Sequence, residues 1–407
     1  MRILYLTPCW PHGPSFGGQL RALHIGLALQ QLGKVTLAVV SADAADDKAV
    51  RQTKSEFDLH GHVQVETRPN RSLSERFRWF LDPRYMNVHG CVANKSERAA
   101  LLARLSEFDL IWVLNSRTPN ILQQWSWPGA VLDLDDIPSL FHRSIQPTAP
   151  SFGARIKARL HARLSRRREK SWKQRFTTLS VCSERDRQYL GGGSQVHVIP
   201  NGFTKPASEP LRSPVHPPRF GFIGLFDYMP NLEGVRWFVR ECWPLVKKEI
   251  PDARLRLVGN GTDGNLKPAG QDVDGLGWVA DPAAEIVTWT AMIIPVLHGA
   301  GTRVKIADAF SRKCPVVSTP LGAYGYEVED GQELRLAGNA ADFATACVAL
   351  ARHPEQGQAL AENAWQKFLQ NWTWESITPR VRAAAEHCLA AKVGGTSSVS
   401  ALSVADS

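Results

Sequence analysis

The sequence predicts an α/β protein with two domains, each built on a doubly wound parallel sheet. Apolar runs of strand length alternate with longer stretches of helix length through most of the 407 residues. A proline-rich segment, 205–218, holds almost nothing apolar and divides these runs into two series. A chain of this length is long for a single core and suits two domains of about 200 residues each. In such sheets, ligands bind beyond the carboxyl ends of the strands.

The first series of strands defines a domain over residues 1–204. A turn-rich loop, 8–18, follows the first strand and leads into a helix over 19–31, which Gly33 ends. Crossovers of helix length separate the later strands, and this favours parallel pairing. The predicted strands lie at residues 3–7, 35–40, 63–66, 109–114, 130–134, 177–182 and 196–199.

The second series defines a domain over residues 219–374, after a predicted linker at 205–218. A final helix is predicted over 375–391, and the residues 392–407, rich in glycine, serine and alanine, are expected to be disordered. The predicted strands lie at residues 220–223, 254–258, 273–279, 292–297, 316–319 and 334–336.

Composition argues against several classes of protein. Seven scattered cysteines without a C-x-x-C pair argue against a disulfide framework or structural zinc and for a reducing compartment. The apolar run at the start is too short for a signal peptide, and nothing approaches the roughly 18 apolar residues of a membrane span. We therefore expect a cytoplasmic protein that touches a membrane only from outside.

A basic stretch at 154–176 accounts for the whole net charge of +9. It holds ten lysines and arginines and one acid, Glu169. Ile156, Leu160 and Leu164 recur at helical spacing, which predicts a basic amphipathic helix. Such a helix lies against anionic lipid, grips nucleic acid, or packs on the core with a solvated cationic face. Nucleic acid is the weakest of these readings, because no other basic patch or binding module accompanies the helix.

Residues 292–319 carry the clearest chemistry. A buried strand is followed by a glycine-bearing loop, 298–303, and by a helix that starts near Thr302 or Arg303. Gly299 and Gly301 permit close backbone approach to a ligand, and a helix N-terminus offers amide donors with a partial positive charge. Arg303 and Lys305 add formal charge at the same place. This combination predicts a diphosphate site, the alternative being an ordinary strand-to-helix turn with two solvated cations.

Several segments taken together resemble the GT-B-fold glycosyltransferases of the large retaining family four, which includes many bacterial polysaccharide and lipopolysaccharide sugar transferases. The resemblance covers nearly the whole chain, to about residue 390. Its strongest parts are the 292–319 stretch with Cys314-Pro315-Val316-Val317-Ser318-Thr319. Weaker parts are Gly17-Gly18 with Arg21, 198–202, 221–224 leading to Pro230-Asn231, and 258–261.

The resemblance implies two Rossmann-like domains that face each other across a cleft, with the last helix packing back on the first domain. The second domain would hold a nucleotide diphosphate sugar without a metal, and the first would present the acceptor. This agrees with the absence of clustered carboxylates placed for Mg²⁺ in the sequence.

The resemblance also implies roles in donor binding. Arg303 and Lys305 would stabilise the departing diphosphate, with Gly299, Gly301 and Thr302 supplying backbone donors. Asp308 falls where relatives carry a glutamate that binds the ribose hydroxyls, and His298 replaces another glutamate. The alternative for Asp308 is a carboxylate on the helix surface without a ligand. The remaining donor-site candidates are Gly17, Gly18, Gly224, Asn231 and Val279, and for Asn231 the simplest reading is the N-cap of the next helix.

In the first domain, Asp135 and Asp136 end a predicted strand near where relatives carry catalytic groups. A general base or acceptor-orienting carboxylate is one interpretation, and a helix N-cap before Pro138 is the other. Arg21, His142 and Arg143 are the candidate acceptor contacts.

The predicted function is transfer of a hexose-type sugar from a nucleotide diphosphate sugar to a glycan or lipid-linked acceptor, with retention. We expect no cofactor, metal or nucleic acid partner, and peripheral contact of 154–176 with an anionic membrane is a further expectation. Two alternatives stay open: a degenerate glycosyltransferase that serves as a binding subunit, and a nucleotide-sugar 2-epimerase on the same fold.

Overall fold

The computed structural model describes residues 1–12, 17–42, 47–67, 72–86, 90–264 and 267–402. The chain divides into two compact units. Unit 1 comprises Met1–Ser139, Lys157–Pro200 and Ile377–Ser407, and unit 2 comprises Leu140–Ile156 and Asn201–Ser376. The predicted first domain was continuous, whereas the stretch Leu140–Ile156 groups with unit 2.

Unit 1 contains an eight-stranded sheet in the order β4-β3-β2-β1-β5-β6-β7-β8. All neighbours pair in parallel except β3 and β4. The short edge strand β4 was not predicted from the sequence. The strands are β1 (Arg2–Thr7), β2 (Lys34–Ser41), β3 (Asp58–Thr67), β4 (Cys91–Ala93), β5 (Leu110–Leu114), β6 (Trp127–Leu134), β7 (Phe176–Val181) and β8 (Val196–Val198).

The helices of the first part of the chain lie between the strands of the first sheet in sequence order. Short 3₁₀ turns occur at Leu105–Glu107 and Gln146–Thr148. The helices are α1 (Gly17–Gln30), α2 (Asp47–Glu56), α3 (Leu73–Leu81), α4 (Lys95–Ala103), α5 (Arg117–Ile121), α6 (Pro138–Ile145), α7 (Phe152–Glu169), α8 (Trp172–Arg175) and α9 (Glu184–Tyr189).

Unit 2 contains a six-stranded parallel sheet in the order β11-β10-β9-β12-β13-β14. A π-helical turn, Phe238–Cys242, joins α10 to α11. The elements are β9 (Arg219–Ile223), α10 (Met229–Trp237), α11 (Trp243–Glu249), β10 (Arg254–Val258), β11 (Val273–Gly275), α12 (Ala283–Ile286), β12 (Ala291–Ile294), α13 (Val304–Ser311), β13 (Val316–Ser318), β14 (Arg335–Leu336), α14 (Ala340–Arg352), α15 (Pro354–Asn371) and α16 (Trp374–Leu402).

The sheet of unit 2 is buried on both faces, as parallel sheets are. On β12, Ile293 packs into one apolar cluster while Met292 and Ile294 pack into the other. This follows from the two-residue period of a strand, which sends successive side chains to opposite faces. The prediction of doubly wound parallel-sheet α/β architecture is confirmed.

Two segments differ from the sequence predictions. The basic stretch forms α7 and α8 with a break at residues 170–171, and its last residue, Phe176, begins β7, which pairs with β6. The final helix continues to Leu402 instead of ending near residue 391, since no proline interrupts it there. Residues 403–407 of the predicted tail lie outside the described part of the chain, and so do residues 13–16 of the predicted loop 8–18.

The predicted linker, 205–218, forms neither helix nor strand and is fixed along unit 2. The backbone amides of Ser213 and Val215 donate to the carbonyls of Val287 and Thr288, 3.1 and 3.2 Å away. The guanidinium of Arg212 donates to the carbonyls of Ile286 and Trp289.

In the described ranges, no cysteine forms a disulfide, and none of the helices is both long and apolar enough to span a bilayer.

Candidate functional site

The candidate site of unit 2 lies where the strand order reverses. The chain builds the sheet outward from β9 through β10 to β11, and then from β12 through β13 to β14. The reversal therefore lies between β9 and β12, and open α/β sheets bind ligands beyond the carboxyl ends of the strands at this position. The segments that leave these two strands contain Gly224 and the glycine-bearing loop 298–303.

The glycine-bearing loop is shaped around the guanidinium of Arg303. Arg303 Nη1 donates to the carbonyls of Ala300 and Gly301, at 2.8 Å for the latter. Gly299 has φ +131°, and a Cβ at this position would lie 2.5 Å from Arg303 Nη2. Gly301 has φ +72°, in the left-handed region. Gly299 is therefore required both for space beside Arg303 and for its positive φ, and Gly301 is required for its positive φ.

Helix α13 begins at Val304 with Arg303 as its extended N-cap, as the sequence predicted. Tyr326 Oη donates to the carbonyl of Arg303 at 3.0 Å and so holds this cap residue. The entrance of the helix combines amide donors, the positive end of the helix dipole and two cationic side chains.

Lys305 is held inside this entrance and is only half-exposed. Its Nζ donates to Asn231 Oδ1 at 2.7 Å and lies 4.2 Å from the centre of the Phe222 ring. Burial lowers the pKa of Lys305 to about 7, and the nearby charge of Arg303 adds to this effect while Asp308 opposes it. A cation with so low a pKa becomes more strongly protonated when an anion binds beside it.

Asn231 and Gly224 stand next to each other and next to Lys305. Asn231 Nδ2 donates to the carbonyl of Leu225 at 2.8 Å, and a Cβ on Gly224 would lie 2.8 Å from the same nitrogen. The expectation that Asn231 caps α10 is wrong, because Tyr228 is the N-cap and Asn231 uses its side chain to orient Lys305.

His298 is buried, with 7% of its surface exposed. Its Nδ1 lies 3.4 Å from Glu233 Oε2 of α10. Burial lowers the pKa of His298, and the charge of Glu233 works in the opposite direction. A neutral imidazole beside a carboxylate suits contact with uncharged hydroxyls.

Asp308 is 6% exposed and forms an ion pair at 2.6 Å with Arg312, the C-cap residue of α13. Burial raises the pKa of Asp308, and Arg312 counteracts this. The alternative of a solvated helix-surface carboxylate is wrong. Its role in binding ribose stays a prediction, and any such contact must share the carboxylate with Arg312.

Two further residues hold the glycine-bearing loop from outside it. Asn201 Nδ2 donates to Thr302 Oγ1 at 2.9 Å, and the amide of Gly299 donates to Ser144 Oγ at 2.8 Å. Ser144 belongs to the part of α6 that groups with unit 2. The same turn of α6 carries His142 and Arg143, so the predicted acceptor contacts lie on a helix end that meets this loop.

Val279 lies in the loop after β11 and packs half-buried against the apolar cluster around β12. The preceding residue, Trp278, is 61% exposed. Gly277 binds the carboxyl end of β10, where its carbonyl accepts from the amide of Gly259 at 2.8 Å. The exposed indole of Trp278 therefore follows a residue that is hydrogen-bonded to the end of β10. Trp278 was not among the predicted site residues.

Within unit 1, Gly17 and Gly18 open α1, as expected, and are half-buried. Arg21 is only 1% exposed and donates to Asp133 Oδ1 at 2.5 Å and to the carbonyls of Ile199 and Pro200. Its predicted contact with an acceptor does not fit this position, since the guanidinium is enclosed and joins α1, β6 and the segment after β8.

Asp135 and Asp136 follow β6 and are half-buried. Asp135 Oδ1 accepts from Asn115 Nδ2 at 2.9 Å, and burial raises its pKa. The start of α6 is bound by Glu169, whose carboxylate accepts from the amide and the hydroxyl of Ser139 at 2.7 and 2.6 Å. The catalytic role of the two aspartates stays a prediction.

Sequence reasoning missed four residues that hold the site: Ser144, Asn201, Glu233 and Arg312. Arg312 had a signal, since a cation four residues after an acid on a helix forms an ion pair. Asn201 stood inside the quoted 198–202 segment without an assigned contact. Ser144 and Glu233 had no local signal, because the fold alone brings them to the loop.

Comparison with known proteins shows which family the sequence around this site resembles. Residues 217–353 match the family described as Glycosyl transferases group 1. This range lies within unit 2 and contains Gly224, Asn231 and the loop with α13. This part of unit 2 is therefore similar to the glycosyltransferase group 1 family.

One relative and two solved structures illustrate the similarity. An "uncharacterized 44.6 kDa protein in cps region" of Klebsiella pneumoniae is 29% identical over 166 residues, which are 38% of this chain and 43% of the relative. The aligned part thus spans less than half of that relative.

Sucrose-phosphate synthase of Thermosynechococcus elongatus superposes with a TM-score of 0.65 at 16% identity, over 96% of this chain and 99% of its own. HepE of Anabaena in complex with UDP-glucose gives a TM-score of 0.59 at 16% identity, over 94% and 98%. The two parallel-sheet α/β units are those of GT-B glycosyltransferase structures.

Proposed function

We propose, from the glycosyltransferase group 1 domain at residues 217–353, that this chain moves a hexose-type sugar from a nucleotide diphosphate sugar to a glycan or lipid-linked acceptor. The transfer retains the anomeric configuration and uses no metal. The chain acts in the cytoplasm, at the inner face of the plasma membrane.

The position of Lys305 carries this proposal. Its ammonium group lies at the entrance of α13, 2.7 Å from Asn231 Oδ1, beside the loop that Arg303 organises. Negative charge develops on the diphosphate as it leaves the sugar, and fixed cations and helix amides lower the barrier most at that point. Partial burial strengthens these interactions, because water screens them less.

The reaction needs few protein groups. The acceptor hydroxyl oxygen bonds to the anomeric carbon as the bond from that carbon to the diphosphate oxygen breaks on the same face. The hydroxyl proton passes to the departing diphosphate oxygen, so that no protein nucleophile is required. Positioning then dominates catalysis, and Asp135 and Asp136 are the candidates for orienting the acceptor, together with His142 and Arg143.

In this proposal, the positive charges of Lys305 and Arg303 take the place of the metal ion that neutralises the leaving diphosphate in metal-dependent enzymes. Activity is therefore expected to persist in EDTA. The acceptor class rests on the likeness to a protein of a cps region and on the basic helix α7.

The test measures donor binding and turnover together. UDP-glucose is the first donor to try, because HepE is recorded with it, followed by GDP-, ADP- and dTDP-glucose. A bound donor at 100 times its Kd stabilises the protein by about 2.7 kcal/mol in thermal unfolding. Proton NMR of the glucose released by slow hydrolysis from an α-linked donor should show the α-anomer first.

The remaining outcomes separate the alternatives. A chain that binds no nucleotide in this series would be a binding subunit of another kind, and elimination of the nucleotide without a free sugar would indicate an epimerase. Release of the β-anomer first, or loss of turnover in EDTA, would contradict retention or metal independence respectively.

A further inference from the structure

Helix α3 turns its apolar side away from the protein. Its buried side chain is Trp79, at 8% exposure, whereas Leu73, Phe77, Phe80 and Leu81 are 77, 68, 39 and 70% exposed. Successive residues of a helix are about 100° apart, which places Phe77 and Leu81 about 160° around the helix from Trp79, and Leu73 and Phe80 on its flank, about 100 to 120° from Trp79. A soluble helix normally shows the reverse arrangement.

Helix α3 is held firmly in this orientation by α7. The rings of Trp79 and His161 lie 4.8 Å apart, and the guanidinium of Arg168 lies 5.1 Å from the Trp79 ring. Arg168 Nη2 also donates to the carbonyls of Trp79 and Asp82. A capping box between Ser72 and Glu75 fixes the first turn of α3.

Helix α7 likewise presents apolar residues outward. Ala158, Ala162 and Glu169 form its buried side, while Leu160 is 38% exposed. Ile156, one turn earlier, is 50% exposed, so these two apolar positions do not pack on the core, whereas Trp172 and Phe176 of the same basic stretch are buried.

Arginines surround Leu160 on the exposed side of α7. Arg159, Arg163 and Arg167 are exposed. The helix carries seven lysines and arginines, and its one acid, Glu169, is buried against Ser139. The helix is therefore strongly cationic toward solvent.

We propose that this α3–α7 face docks onto an anionic phospholipid bilayer. Apolar side chains flanked by arginines match a bilayer surface, where the apolar groups enter the acyl boundary and the guanidiniums pair with lipid phosphates. Membrane docking extends the proposed function. It rests on that function only in that docking would bring the site to a lipid-linked acceptor. The face consists of Leu73, Phe77, Phe80, Leu81, Arg159, Leu160, Arg163 and Arg167.

Charge and apolar surface distinguish a lipid bilayer from two other partners, a second copy of the chain and nucleic acid. A second copy of the chain docked through the same face would bring two cationic α7 helices together, and like charges repel. Nucleic acid would satisfy the arginines but would leave four large apolar side chains of α3 in water.

The test is co-sedimentation of the full chain with vesicles of phosphatidylcholine, with and without phosphatidylglycerol. We expect binding only to the anionic vesicles. Phe77→Ser/Leu81→Ser should weaken it by about 100-fold, since each lost apolar contact accounts for about tenfold. Arg159→Ala/Arg163→Ala/Arg167→Ala should also weaken it by about 100-fold, since each cation near the surface accounts for about fivefold.

Matched controls replace exposed leucines and cations that lie outside the α3–α7 face. Leu211→Ser/Leu245→Ser replaces two other exposed leucines, at 86 and 41% exposure, and Arg236→Ala/Arg240→Ala/Lys248→Ala removes three other exposed cations. Neither control should change vesicle binding, and every variant should keep the wild-type unfolding temperature.

Three results would overturn the proposal: equal binding to neutral vesicles, equal losses in the controls, or a dimer in solution that Phe77→Ser/Leu81→Ser dissolves. Because sedimentation uses no sugar donor, its failure is distinguishable from a failure of the proposed transfer reaction. The latter would leave vesicle binding intact.

Discussion

The charge state of Lys305 should respond to a diphosphate bound at the entrance of α13. The Lys305 pKa of about 7 in the free protein lies well below the ordinary value of 10.5 because of burial. At pH 8 most of the amine is therefore neutral, and a bound diphosphate would favour the ammonium form. We predict that UDP binding at pH 8 takes up about one proton.

Titration calorimetry in buffers of different ionisation enthalpy measures this uptake. Lys305→Arg keeps a permanent charge and should bind UDP with no proton taken up at this site. If wild type and Lys305→Arg showed the same proton uptake, the diphosphate would not lie beside Lys305.

The same pKa sets a stability trend in the free protein. The unfolded chain binds the Lys305 proton up to pH 10.5 and the folded chain only up to about 7, so this group makes the free energy of unfolding rise between those values. We predict that Lys305→Met flattens that rise in urea denaturation measured at pH 7 and pH 9. An unchanged slope would show that Lys305 is not desolvated.

The ion pair between Asp308 and Arg312 is expected to stabilise unit 2. Arg312→Ala leaves a buried carboxylate without its cation and should lower the free energy of unfolding by about 2 to 3 kcal/mol. The control is Arg240→Ala, because Arg240 pairs with Glu241 at 2.7 Å with 69 and 47% of the two side chains exposed. Arg240→Ala should lower the free energy of unfolding by no more than about 1 kcal/mol. Equal losses for both variants would show that burial of the ion pair does not matter here.

At the scale of residues, the sequence identified which groups carry charge but not which of them are enclosed. Lys305, Asn231 and Gly224 were predicted from separate segments, and the structure brings them together. Arg21 had the same sequence signal as an acceptor contact, yet Asp133 encloses it, and no local pattern reveals a partner more than 100 residues away.

At the scale of elements, the loop before α13 is the part of the site whose shape depends most on glycine. We predict that Gly299→Ala weakens UDP binding by about tenfold or more, through positive φ and the clash with Arg303. Gly338→Ala is the matched control, because a Cβ there meets nothing within 4 Å. Equal affinity of both variants for UDP in calorimetry would mean that the loop does not bind the ligand.

The contact between α6 and this loop occupies one backbone amide of the proposed diphosphate site. Ser144 Oγ accepts from the Gly299 amide at 2.8 Å. Ser144→Ala releases this donor, and we predict about fivefold tighter UDP binding, equivalent to one hydrogen bond. Ser144→Thr retains a hydroxyl and serves as the control, and weaker binding by Ser144→Ala would instead make Ser144 a ligand contact.

Elements with strong periodicity were predictable, and their orientation was not. Most strands were found within a few residues of their observed bounds, and α13 starts where its glycines and charges indicated. Helices α3 and α7 show the limit of this reasoning, because periodicity reveals that a helix has an apolar side but not which way that side faces. The contacts of Trp79 with His161 and Arg168 of α7 decide it.

At the scale of the whole molecule, alternating strands and helices determined the class of fold. Both sheets are doubly wound with the first strand of each near the centre, which the right-handed crossover rule favours. The division into units was only partly predictable, since the grouping of Leu140–Ile156 with unit 2 depends on contacts distant in sequence.

The central claim is that a diphosphate binds at the entrance of α13, and calorimetric titration of UDP tests it most directly. Lys305→Ala should raise the Kd by about 10- to 100-fold, the loss of one charge-assisted hydrogen bond, while the exposed Lys248→Ala should leave it unchanged. An equal Kd for wild type and Lys305→Ala, with UDP bound in both, would contradict the account.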